Sequence, residues 1–136
     1  MIKVPLTIKE QIIAQALREL PDEACGYLAG TDDSALEIIP MTNTDHSPEH
    51  FSFIPEEQFR AVKAARTKGL RLLAVYHSHP ASPARLSEED LRLANDPAII
   101  YLIVSLATQE PVFKAFRVES RTITEIPIQF MGGIPT

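Results

Sequence analysis

Apolar residues recur along the chain with two periods, and the changes between them mark the predicted elements. Ile2 to Leu6 alternates and predicts a short opening strand. The period then changes: Ile8, Ile12, Ile13, Ala16, Leu17 and Leu20 share one face at helical spacing, up to Pro21. Thr7, with Glu10 three residues on, has the form of a capping box at that helix's start. "CGYLAG" (Cys25 to Gly30) and "ALEIIPM" (Ala35 to Met41), joined by "DDS", predict a hairpin. "TNTDHSPEHFSF" (Thr42 to Phe53) is polar and turn-rich and predicts a surface loop. A second helix begins at Pro55, turns Phe59, Val62 and Ala65 to the core, and stops at Gly69. "LRLLAVYH" (Leu70 to His77) is almost wholly apolar, the pattern of a buried central strand. A third helix is expected over Ser87 to Asn95, ahead of Pro97. Strands are expected at Ala98 to Leu106, Val112 to Val118 and Thr122 to Phe130. Residues 130–136 read as a loose tail. With no repeat, low-complexity tract or linker, the order predicts one α/β domain over 1–136, a sheet with helices packed on it.

Composition narrows the function classes. The net charge of −5, with no cationic run, argues against nucleic acid or an anionic membrane as partner. The single cysteine, Cys25, leaves no intrachain disulfide and no cysteine-rich metal cluster. The start has no signal-peptide pattern, and no apolar run is long enough to span a bilayer, so a cytoplasmic enzyme or binding domain is expected.

The candidate chemistry lies in "HSHPASPARLSEED", His77 to Asp90. In a strand, residues two apart face the same way, so His77 and His79 present both imidazoles together while Ser78 points away. Pro80 stops the strand, and a helix opening at Ser87 can bring Asp90 back towards the imidazoles. Two histidines and one carboxylate leave a fourth tetrahedral position open, as catalytic zinc requires. Each half also has a structural explanation, since Ser87-x-x-Asp90 is itself a capping signature. A metal site that activates water needs a general base, and Glu23 in "PDEACGYLAG" is the candidate.

Together these strings resemble the JAMM motif of the MPN-plus zinc metalloproteases: H-S-H-P, then seven residues from the second histidine to S-x-x-D, with an upstream P-x-E-x-C-G-x-L-x-G element. The resemblance covers the chain from Met1 to about Phe130. It implies a deaminase-like (MPN) α/β fold, a curved mixed sheet flanked by helices. It implies one Zn2+ per chain held by His77, His79 and Asp90. It gives Glu23 the proton of the attacking water, Ser87 the oxyanion, and Ser78 a supporting place beside the histidines. The chain is similar to the short bacterial and archaeal branch. There the implied substrate is a ubiquitin-fold sulfur-carrier protein with a Gly-Gly tail, cut after the glycines. Asn43, Phe53 and Arg85 are candidate substrate contacts, and a homodimer would be unsurprising.

Other residues have plainer readings. His46 and His50 read as exposed loop histidines, and Cys25 as a packed side chain. The alternative function is a non-catalytic MPN-type interaction module. Two histidines and a carboxylate also suit non-haem iron oxygenases, but that reading leaves Glu23 without a place. A nucleobase deaminase needs a P-C-x-x-C pair that one cysteine cannot supply.

Overall fold

The computed structural model describes residues 1–132; residues 133–136, the end of the expected tail, lie outside the described residues. The elements run β1 (Ile2–Pro5), α1 (Leu6–Glu19), β2 (Cys25–Thr31), β3 (Ser34–Met41), α2 (Pro55–Thr67), β4 (Arg71–His79), α3 (Glu88–Leu93), β5 (Ile100–Ser105), β6 (Val112–Glu119), β7 (Thr122–Ile126) and β8 (Ile128–Met131). All the strands join one mixed sheet in the order β7-β6-β5-β4-β2-β3-β1-β8. β4 pairs antiparallel with β2 and parallel with β5, so it sits in the interior as its apolar run predicts.

β7 and β8 stand at opposite ends of that order, yet only Pro127 separates them in sequence. The sheet therefore curls until its two ends meet, and the Ile2 N–H donates to the Pro127 carbonyl at 3.0 Å. α1 lies in the curl against β1, β3, β5 and β8. Ile8, Ile12 and Ala16 join Leu28, Tyr76 and Leu102 there in the main core. α2 packs on the other face, across β2, β3 and β4, where Ala61 meets Cys25, Tyr27 and Met41. The expected curved mixed sheet with flanking helices is the architecture found.

Several local expectations fail for identifiable reasons. α1 begins at Leu6 with Pro5 as N-cap and no side-chain cap, so the Thr7–Glu10 box does not form. Leu17 is 55% exposed: nine residues, about two and a half turns, beyond Ile8, it emerges on the far side. Leu20, at the helix end, is exposed too, and Gln15 takes the buried place instead. On α2 the small Ala61 and Ala65 set the inward face, which leaves Phe59 71% exposed and Val62 37% exposed. α3 ends at Leu93, short of Asn95. The stretch Thr122 to Phe130 is two strands, because Pro127 lacks the N–H to continue a ladder. Phe130 and Met131 belong to β8 and pair with β1, so the loose tail does not start at 130.

Candidate metal centre and active site

The alternation of β4 places the site. Val75, His77 and His79 face the side of α2 and α3, while Ala74, Tyr76 and Ser78 face α1. Asp90 arrives through the cap of α3. The Ser87 Oγ accepts the Asp90 N–H at 3.0 Å, and Asp90 Oδ2 accepts the Ser87 N–H at 3.0 Å, which aims the carboxylate at the strand. Three donor sets then converge. His77 Nε2 lies 3.2 Å from His79 Nε2 and 3.2 Å from Asp90 Oδ1, and His79 Nε2 lies 3.1 Å from Asp90 Oδ2. All three residues are buried.

These separations fit a zinc ion. Tetrahedral bonds of about 2.0–2.1 Å put ligand atoms roughly 3.3 Å apart. His79 Nδ1 sits 2.9 Å from the Pro83 carbonyl, which can only accept, so Nδ1 carries the proton and Nε2 offers its lone pair inward. The His77 ring stacks on Phe51, centroids 4.9 Å apart. Burial opposes the Asp90 charge, but hydrogen bonds with His77 and His79 outweigh it and hold the carboxyl well below the usual range. Burial likewise opposes a charged His79, yet the Asp90 hydrogen bond and the Pro83 carbonyl carry its pKa upward. The cluster thus attracts positive charge, whether a proton or a metal.

Glu23 is 2% exposed, and its Oε1 has no hydrogen-bond partner. Burial first, then the charges of Asp90 and Glu49, push its pKa up to about 9. Its backbone is clamped from three directions. The Glu23 N–H donates to the Ser47 carbonyl at 2.8 Å, and Asn43 Nδ2 donates to the Glu23 carbonyl at 3.1 Å. The Ala24 N–H donates to Ser78 Oγ at 2.8 Å, and the Ser78 N–H returns to the Ala24 carbonyl at 2.9 Å. Ser78, between the two histidines, therefore fixes the segment that carries Glu23.

Asn43 is buried and holds the 42–53 loop together: it also donates to the His50 carbonyl and accepts from the Asp45 and Ser52 N–H groups. Phe53 packs on Tyr27 at 5.0 Å and lines a cleft of ≈ 440 Å³ that reaches His77 and Asp90. Arg85 is exposed and outside the lining of that cleft. His50 bonds Asp45 at 2.8 Å, and His46 lies 3.9 Å from Asp22, each apart from the His77–His79–Asp90 cluster. Burial pushes the Cys25 thiol up to about 12, with the Glu23 charge second, so it stays protonated and packed. Phe51, the Pro83 carbonyl and Gln15 also shape the site, though no motif in the sequence singles them out. Gln15 alone had a signal, an amide on the apolar face of a helix; its Nε2 donates to the Cys25 carbonyl at 3.0 Å and its Oε1 accepts from Tyr76.

The family profile described as prokaryotic homologs of the JAB domain matches residues 5–119. The CysO-cysteine peptidase of Mycobacterium tuberculosis is 35% identical over 122 residues, 86% of this chain and 82% of that protein. The desampylase of Pyrococcus furiosus is 32% identical over 107 residues, 78% of this chain and 74% of that one. A solved structure of a protein from Desulfitobacterium hafniense has a TM-score of 0.91 at 44% identity, covering 98% of this chain and 95% of its own. A JAB1/MPN domain protein from Archaeoglobus fulgidus shares the fold, with a TM-score of 0.64 at 22% identity over 96% of this chain and 97% of its own.

Proposed function

The chain belongs to the prokaryotic homologs of the JAB domain, and on that footing we propose that it is a zinc-dependent peptidase or isopeptidase that cuts after a C-terminal Gly-Gly of a ubiquitin-fold protein. The observation that carries the reading is the convergence of His77, His79 and Asp90 within 3.1–3.2 Å of one another, beside a buried carboxylate with a free oxygen. The JAMM resemblance supports the sulfur-carrier substrate class, as do the names of the relatives, CysO-cysteine peptidase and desampylase.

His77 Nε2, His79 Nε2 and the Asp90 carboxylate would hold the zinc. Bound there, zinc supplies Lewis acidity that makes a water acidic enough to lose its proton near neutral pH. The Glu23 carboxylate would take that proton and deliver it to the leaving amine. In the zinc-free chain a carboxyl pushed up to about 9 keeps its own proton; a dication held by the three ligands would favour its charged form. Ser87 already accepts the Asp90 N–H through Oγ, so its own hydroxyl hydrogen is left to donate to the oxyanion. Asn43 and Ser78 touch no substrate in this scheme; they position Glu23. The acidic balance and the lack of a cationic run support a protein partner over nucleic acid or membrane. No helix among the described residues is long and apolar enough to cross a membrane.

Metal content of the purified, untagged chain beside its His77→Ala variant tests the reading. About one zinc per chain is expected, lost in the variant. A wild-type chain that takes up no zinc when zinc is offered would sink the proposal.

A further inference from the structure

The strand register orients the cleft relative to the bond that is cut. Tyr27 on β2, Val75 on β4 and Tyr101 on β5 are cross-strand partners and form one row. Cys25, His77 and Ile103 form the next row, two residues along the strands, a step of about 6.8 Å. The Ser78–Ala24 backbone bond continues the β2–β4 ladder one position further, which brings Glu23 level with His79. The aromatic row and Glu23 therefore lie on opposite sides of the His77 row.

That arrangement assigns the two halves of a substrate. Glu23 protonates the leaving amine, so the leaving group departs over the Glu23 side and the acyl segment lies over the row Tyr27–Val75–Tyr101. In an extended chain, side chains two residues apart project on one face about 6.8 Å apart. With the last glycine's carbonyl at the metal, the glycine before it faces away. The side chain of the residue preceding the Gly-Gly pair then falls over the aromatic row. The row is built to receive an apolar group. Tyr27 is largely covered by Phe53, and the Tyr27 hydroxyl accepts from Gln58 Nε2 at 3.1 Å, so it forms the floor of the row; Val75 and Tyr101 are half-buried and line the cleft beside it, with the Tyr101 hydroxyl accepting from the Asp96 N–H at 3.2 Å. Phe53 and Ile99 line the same cleft of ≈ 440 Å³, space that glycines, without side chains, cannot fill. Asp96 and Glu89 are also in its lining, with His50, and no lysine or arginine lines it among the described residues.

We infer that the row Tyr27–Val75–Tyr101 is a specificity subsite that selects a bulky apolar residue immediately before the Gly-Gly pair and rejects an acidic one. The inference rests on the peptidase reading and on Glu23 as the proton donor. The test uses the zinc-loaded chain and peptides X-Gly-Gly-Lys with X as Leu, Phe, Ala or Asp. It also measures by calorimetry the binding of the product acids X-Gly-Gly. The expected kcat/KM for Leu or Phe exceeds that for Ala by about 10-fold or more and that for Asp by still more. Product affinities should keep the same order. Val75→Phe fills the subsite and should flatten the Leu-to-Ala ratio in both measurements. Cleavage with no preference at X overturns the subsite and leaves the peptidase reading standing. A preference found only at the residue after Gly-Gly overturns the orientation. No cleavage and no binding of any peptide overturns the peptidase reading, and this inference with it.

Discussion

On β4, side chains one residue apart meet opposite demands. Towards α1, Ala74 and Tyr76 join an apolar core, and the polar atoms there are satisfied: Tyr76 donates to Gln15, and Ser78 accepts from Ala24. Towards α3, His77 and His79 are as deeply buried, yet they face a carboxylate, each other and a cleft. His77 Nδ1 and Glu23 Oε1 have no partner there. Burial is therefore not what separates the two faces. One face has its polar groups paired within the protein; the other holds buried polar atoms without a partner among the described residues.

Substitutions can pull this comparison apart. Glu23→Gln should abolish most turnover, by about 100-fold or more, while bound zinc stays near wild-type; cleavage assays paired with metal analysis would show it. Undiminished cleavage would remove Glu23 from the chemistry. On the inner face Gly26→Ala should act on stability: an added Cβ would stand 2.6 Å from the Ile39 carbonyl and closer still to Tyr76. A loss of about 2–3 kcal/mol is expected from such overpacking, read as a lowered midpoint in denaturant.

A subtler effect belongs to Glu23 in the zinc-free chain. Its pKa rises from 4.5 to about 9 on folding, so the folded state binds the proton more tightly than the unfolded one. The stability this provides is complete below about 4.5 and is lost as pH rises towards 9. Glu23→Gln does not titrate, so its Tm advantage over the zinc-free wild type should grow between pH 5 and pH 8. A constant difference in thermal melts would contradict the assigned burial effect. The smallest change is expected away from both faces of β4: Phe59→Ser, on the exposed side of α2, should alter stability by about 0.5 kcal/mol or less. A large drop would mean that something packs over Phe59.

Local signals carried much of the architecture. The hairpin of β2 and β3, the start of α2 at Pro55 and the interior run of β4 each follow from a short window of residues. The offset of two between His77 and His79 settles that they share a face, because pleating allows nothing else. Helix phase was less legible. On α2 the large Phe59 and Val62 looked like core residues, but close packing against the sheet favoured Ala61 and Ala65. On α1 the count of apolar residues hid Gln15, which no local rule would bury.

By itself the sequence determined which residues are able to ligate, cap and turn: the two imidazoles, the Ser87–Asp90 box and the prolines that end strands and helices. Those properties depend on covalent structure and on neighbours a few residues away. Only the tertiary structure decided what lies within reach of what. It brought Glu23 within the field of Asp90, stacked Phe51 on His77, gave His79 the Pro83 carbonyl and brought β7 and β8 together across the curled sheet. It also placed Tyr27, Val75 and Tyr101 in one row. Such contacts join residues far apart in the chain, and their registers are chosen by the packing of the whole core, which no local window contains.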